Sequence, residues 1–210
     1  FALDGDTVVP AALEHSVIHA FMPTTEFAGA LIKMNGDFST DPSRKSVDLD
    51  DTSQAAFIHC VELLAAVLQR AVAENTLPGI FSPLLLTIPV EGRFRKMLRE
   101  ALLERLSTDG FNIMGVLAKP FDIRLRPEWL SYVDYEKLMG DLPHVPQATL
   151  IQHPEFPDFL KGLGARSVSL EEILALMHHS CPSPLGCAQV FSRAARQYRY
   201  ELTQERITVL

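Results

Sequence analysis

The sequence contains no GxxxxGK(S/T) phosphate loop and no GxGxxG turn. Both motifs work by aiming bare backbone N–H groups at phosphates, so nothing here cradles a nucleotide unaided. No CxxC pair occurs among the three cysteines, Cys60, Cys181 and Cys187. That removes the common zinc-finger and thioredoxin spacings and favours a reduced compartment, the cytoplasm. No apolar run is long enough to span a bilayer, because the longest, residues 80–90, is interrupted by Pro83 and Pro89. No membrane contact is expected. An excess of positive charge is missing as well. Nineteen basic residues face 26 acidic ones, for a net charge of −7. Such a balance argues against a chain built mainly to neutralise phosphate backbones. The opening Phe1-Ala2-Leu3-Asp4 is neither an initiator methionine nor a signal peptide, and reads as a chain cut at its front from something longer. Internal repeats and low-complexity tracts are absent.

What is present has ordinary globular composition. Of 210 residues, 47% are apolar and 21% charged, enough for one large domain or two small ones around a hydrophobic core. The clearest element is a helix over 52–74. Ala56, Phe57, Cys60, Val61, Leu64, Val67, Leu68 and Ala71 recur at steps of three and four and make one apolar stripe. Asp48, Asp50 and Asp51 just before it suit the positive end of the helix dipole. Read instead as a cation site, they lack the glycine and terminal glutamate of a calcium loop. Upstream, the small apolar stretch 28–34 reaches Asn35-Gly36, a hairpin signal that predicts a returning strand over 37–40. A loop over 41–43 follows and ends at Arg44 and Lys45.

Leu77-Pro78-Gly79 breaks the chain, and 80–89 reads as a buried connection or an edge strand. A second helix is predicted over 93–107. Met97, Leu98, Ala101, Leu102 and Leu106 form its apolar stripe, with Arg93, Arg95, Lys96, Arg99 and Arg105 solvated. Residues 111–117 and 121–125 look extended. Pro127 opens a short helix through Trp129 and Tyr132, and another starts near Asp134. The best boundary is 140–146, with Gly140, Pro143 and Pro146, dividing the chain into 1–140 and 141–210. Beyond it the sequence predicts helices over 156–163 and 169–178, the latter with a capping box at Ser169 and Glu172. A longer helix from Ser183-Pro184 runs through Tyr198, and a strand over 206–210 ends the chain. The fold class is α+β: a sheet covered by the 52–74 helix, then a mostly helical remainder.

Two constellations invite chemistry. His178-His179-Ser180-Cys181, with Cys187 beyond, offers zinc-ligand types, but adjacent histidines point to different helix faces and a tetrahedral site needs four ligands. The plainer reading is a helix end whose histidines meet its last carbonyls. His59 and Cys60 are neighbours in a helix and do not face each other. Cys60 lies on the apolar stripe, where a cysteine serves as a small hydrophobe. A Cys/His-dependent enzyme and a nucleic-acid-binding module using the basic residues 93–105 stand as alternatives to the reading that follows.

Residues 21–45 carry a pattern: Phe21, Pro23 and Thr24, then an apolar strand, Asn35, Gly36 and Phe38, then a loop ending in Arg44 and Lys45. This stretch resembles the region after the nucleotide-binding domain in GHKL-type ATPases, most of all the sacsin-like, heat-shock-chaperone-like proteins. Residues 159–177 are similar to helical segments further along such proteins. The resemblance implies a transducer, a small S5-like sheet-and-helix unit that packs on an ATP-binding domain and senses the terminal phosphate through a basic residue. Carried to this chain, that role falls to Arg44 or Lys45; a solvated basic loop is the alternative. The family's asparagine-bearing and glycine-rich lid motifs are absent. The chain is therefore expected to be non-catalytic, with no cofactor of its own and ATP and magnesium held in the longer protein. The partners implied are the upstream ATP-binding domain, a protein partner or client, and a second copy in a homodimer.

Overall fold

A computed structural model describes residues 2–85 and 92–208. A hairpin of β1 (Ala2–Asp4) and β2 (Thr7–Val9) comes first, then β3 (Val17–Ala20), β4 (Met22–Phe27) and β5 (Met34–Asn35). β3 is the middle strand of this second sheet, antiparallel to β4 and parallel to β5. Helices α1 (Asp51–Glu74), α2 (Ser82–Leu85) and α3 (Arg93–Asp109) follow, and then the hairpin of β6 (Phe111–Ile113) and β7 (Val116–Ala118). The remainder comprises β8 (Arg124–Leu125), α4 (Tyr132–Met139), α5 (Gln147–Gln152), α6 (Phe156–Gly162), β9 (Arg166–Ser167), α7 (Leu170–Leu176) and α8 (Pro184–Thr208). This is the mixed α+β architecture that the sequence predicts.

α1 starts where the Asp50 carboxylate accepts the Ser53 N–H at 2.8 Å, satisfying one of the donors a helix start leaves free. The Ser39 hydroxyl and the Ser53 N–H hold the Asp50 carboxyl below the usual carboxylate range. Asp50 is thus occupied as a cap. The helix stops at Asn75, whose left-handed backbone lets the Thr76 N–H reach back to the Ala71 carbonyl. Phe57, Val61, Leu64, Leu68 and Ala71 are buried against α3 and β6. Among the described residues α1 is the one helix long and apolar enough to cross a membrane, with a mean hydropathy of 1.6; in this fold its apolar stripe lines the core.

The structure departs from the sequence reading in several places. Asn35-Gly36 is not a hairpin turn, since neither residue has the positive φ that such a turn requires. β5 instead runs parallel to β3, pairing Ile18 with Met34 and His19 with Asn35. Gly36 is small for a packing reason: a Cβ there would sit 3.0 Å from the buried Phe38 ring. The predicted strand over 37–40 is reduced to a bridge between Thr40 and Val47. Residues 111–117 are not one extended run. They fold into a hairpin at Met114 and Gly115, both at positive φ. Residues 127–130 form a turn, and the helix begins only at Tyr132, capped by Ser131. The predicted strand over 206–210 is the end of α8 as far as Thr208, and its last two residues lie outside those described. Of the stretch 80–89, Ile80 and Phe81 are fully buried and residues 82–85 form α2; 86–89 lie outside the described residues.

Two buried apolar clusters organise the chain, and they cross residue 140 in both directions. The main one joins the three-stranded sheet, α1 and α3 to Val145, Phe156, Phe159, Leu160 and Ala165. The second joins Leu130, Tyr135, Leu138 and Met139 to Val168, Ile173, Val190 and Ala194. Residues 140–146 are packed: His144 and Val145 are buried and His144 bridges to Arg124. β8 also pairs in parallel with β9. Glu172 then gathers Arg124 and Arg166 at 3.5 and 3.1 Å, besides completing the capping box with Ser169.

His153 ties the main cluster across the chain. Its ring is fully buried, Nε2 donates to the Ala71 carbonyl at 3.1 Å, and the Phe81 ring meets it edge-on. Burial holds its pKa below the ordinary histidine value, against the opposing effects of the Ala71 bond and nearby Glu155. An unfolded histidine takes up a proton near pH ~6.5; folded His153 does so only at lower pH. Between those values the unfolded chain binds more protons, so stability is full above about pH 6.5 and falls as pH drops toward the folded pKa. Urea unfolding across this window is expected to show the decline, and His153→Gln to flatten it. Equal slopes in both proteins would assign the decline to other groups.

Candidate functional site

The two cations singled out by sequence, Arg44 and Lys45, sit on an exposed turn beside β4, an edge strand of the three-stranded sheet. Short polar bonds build this turn. Asp41 Oδ1 accepts the N–H groups of Lys45 and Ser46 at 2.8 and 3.0 Å, and its other oxygen accepts the Ser43 hydroxyl. The Arg44 N–H donates to the Asp41 carbonyl at 2.9 Å. The Ser43 hydroxyl, then the Ser46 N–H, hold the Asp41 carboxyl below its ordinary range, so it stays an anion and an acceptor at neutral pH.

The turn is fastened to β4 from outside as well. Both the N–H and the hydroxyl of Thr25 donate to the Lys45 carbonyl, at 3.0 and 2.8 Å. Arg93, from the first turn of α3, donates to Glu26 Oε1 at 2.8 Å and also to the Val47 carbonyl. One guanidinium therefore ties α3 to β4 and to the far end of the turn. The backbone is held while the cationic heads face solvent. Among the described residues neither Arg44 nor Lys45 forms an ion pair. Arg44 Nη1 lies 3.8 Å from the Met22 sulfur.

Arg44 has φ +58, and Phe21 at the tip of the β3–β4 hairpin has φ +67 with its side chain fully exposed. Both backbones lie in the left-handed region that larger residues populate rarely. Phe21, Met22 and Arg44 make an apolar tip with a cation beside it.

The structure brings together part of the sequence pattern. Pro23 pairs with His19 in the sheet, and Thr24 is buried, its hydroxyl donating to the Ile18 carbonyl at 2.9 Å. Asn35 ends β5, on the edge of the sheet opposite β4, so it does not join the Arg44–Lys45 turn. An open groove of about 590 Å³ lies on that side, lined in part by Asn35, Asp37, Asp51, His59 and Cys60.

Sequence reading missed the groups that hold the turn. Asp41-Pro42-Ser43 carries a local signal, since an aspartate before such a pair commonly accepts from the backbone a few residues on. Thr25, Glu26 and Arg93 carry none, because their bonds span 20 to 67 residues. Arg93, expected to be solvated, is a positioning residue for the turn. Two other cations of α3 also meet acids: Lys96 faces Glu100 and Arg105 faces Asp109. The basic face expected of a nucleic-acid binder is thereby diluted.

The remaining candidates separate. His178 and His179 are exposed beyond the end of α7. Among the described residues no three His, Cys, Asp or Glu side chains gather as a metal site. Cys60 is half-buried with its thiol 3.6 Å from the Asn35 carbonyl, and burial pushes its pKa up, away from nucleophilic use. Cys181 and Cys187 lie together, their sulfurs 3.5 Å apart.

No protein-family model matches the chain, and neither a curated protein nor a solved structure matches it.

Proposed function

We propose that this chain is the transducer and following helical region of a chaperone-like GHKL ATPase, relaying nucleotide state from an upstream ATP-binding domain to a partner or client. The observation that carries this reading is the Arg44–Lys45 turn. Two cations without an ion pair among the described residues stand on a backbone held by Asp41, Thr25 and Arg93, within the stretch whose sequence resembles that family. Such an arrangement fixes the backbone from which two solvent-facing cations extend, and a cation beside a terminal phosphate stabilises its charge. Arg93 supports the reading further, because it links the turn to α3 and so offers a path from phosphate to helices. In this reading the chain binds no nucleotide by itself.

The test uses this chain and the longer protein that carries it behind the ATP-binding domain. Arg44→Ala or Lys45→Ala in the longer protein is expected to slow ATP hydrolysis by about tenfold or more, with little change in ATP affinity. Unchanged turnover in both variants, or hydrolysis by this chain alone, would overturn the proposal.

A further inference from the structure

The connection between α7 and α8 brings two thiols into contact. Cys181 is exposed on that connection and Cys187 lies in the first turns of α8, with Sγ atoms 3.5 Å apart. The backbone around them is fixed by bonds in which the sulfurs take no part. The Ser183 N–H and hydroxyl both donate to the buried Asp134 carboxylate, at 2.6 and 3.0 Å. The Cys187 N–H donates to the Ser183 carbonyl at 2.8 Å, and the Ser180 hydroxyl donates to the Lys137 carbonyl at 2.8 Å. Gly186 makes room for this arrangement, since a Cβ there would stand 2.5 Å from Asp134 Oδ2. With the segment held at both ends, the thiols meet because the fold places them so.

We propose that Cys181 and Cys187 form a reversible intramolecular disulfide by exchange with a low-molecular-weight disulfide of the glutathione class. A disulfide needs its sulfurs about 2.05 Å apart, so the two sulfurs, 3.5 Å apart as thiols, must close the remaining gap when the bridge forms. Cys181, the exposed thiol, attacks first as the thiolate. It bonds to one sulfur of oxidised glutathione, the glutathione S–S bond breaks, and one glutathione thiolate leaves with the electron pair and takes up a proton. Cys187, having lost its proton to solvent, then attacks the Cys181 sulfur of the mixed disulfide and expels the second glutathione. In sum, two protein thiols become one disulfide and one oxidised glutathione becomes two reduced ones. The hydrogen bond with Cys181, then burial, then the charges of Cys181 and Asp134 raise the Cys187 pKa, which suits the second, intramolecular attack rather than the first. In a reducing compartment the pair rests as thiols and closes under oxidative load. The closed ring, residues 181–187, locks the start of α8 to the segment that Asp134 holds.

The folded chain is equilibrated with mixtures of oxidised and reduced glutathione, quenched with an alkylating agent, and read by intact mass and peptide mapping. The expected product is two hydrogens lighter, bridged between Cys181 and Cys187, alkylated at Cys60, and restored by dithiothreitol. Cys181→Ser and Cys187→Ser each abolish it. In urea the equilibrium constant for the bridge is expected to fall by about tenfold or more, because the fold no longer holds the thiols at high effective concentration. Glutathione adducts without a bridge, a bridge to Cys60, or equal constants in urea and in buffer would each overturn the proposal.

Discussion

Phe81→Ala is expected to remove about 3–5 kcal/mol of stability, the range for truncating a fully buried phenylalanine. Phe81 is inaccessible to solvent, and its ring centroid lies 4.9 Å from those of both Phe156 and Phe159 and 5.6 Å from that of His153. Those partners come from α6 and the segment before it, whereas Phe81 follows α1. Truncation therefore opens a cavity where the early and late parts of the chain meet, and the rings around it are too confined to fill it. Phe81→Leu keeps most of the volume and is expected to cost less, about 1–2 kcal/mol. Urea unfolding gives the difference from the midpoints, provided the slope is unchanged. A loss below about 1 kcal/mol for the alanine variant would show that the ring cluster is not assembled as described.

Asp134→Ala is expected to cost about 2–4 kcal/mol, because it strips a buried carboxylate from three donors at once. Asp134 is almost fully buried and accepts the Ser183 N–H and the hydroxyls of Ser183 and Ser131. The last bond also braces the cap of α4, where Ser131 in turn accepts the Asp134 N–H. Losing the carboxylate leaves the Ser183 N–H without its acceptor at the start of α8. Foremost the Ser183 N–H, then the two hydroxyls and the Lys137 charge, hold the Asp134 pKa below its ordinary value. A depressed carboxylate contributes stability above the unfolded pKa of about 3.9, and that contribution is lost as pH falls through the folded value. The variant should therefore differ most from wild type at neutral pH and converge on it in acid, below about pH 4. Asp134→Asn keeps the shape and one acceptor oxygen and should lie between the two. A constant difference across the acid range would mean that Asp134 acts through packing rather than charge.

The long elements were legible because their signals are local and repeated. The stripe in α1, the one in α3 and the capping box at Ser169 each rest on residues three or four apart, and each stands where the sequence placed it. The short strands were less so. β5 lasts two residues, and it pairs in parallel with β3 where Met34 and Phe38 join the main core with residues of α1, which no local pattern announces. Met114 took a backbone conformation more usual for asparagine or glycine, so its turn gave no warning. At the candidate site the cations themselves were readable, as was the aspartate before them. The grip of Thr25 and Arg93 was not, since those contacts exist only after folding. The same holds for Cys181 and Cys187: six residues apart is no standard spacing, and the bonds that hold the segment to Asp134 and Lys137 form only on folding.

The crossing of the two cores sets a timetable for synthesis. The histidine that completes the end of α1 lies 82 residues after the carbonyl it bonds. At the 5–20 residues per second of a translating ribosome, α1 waits on the order of ten seconds for His153, Phe156 and Phe159 to emerge. Throughout that interval the apolar stripe of α1 and the Phe81 ring have no late-chain cover. Apolar surface left uncovered in this way favours aggregation and chaperone binding, so completion of the main core is expected to wait on translation of its last members.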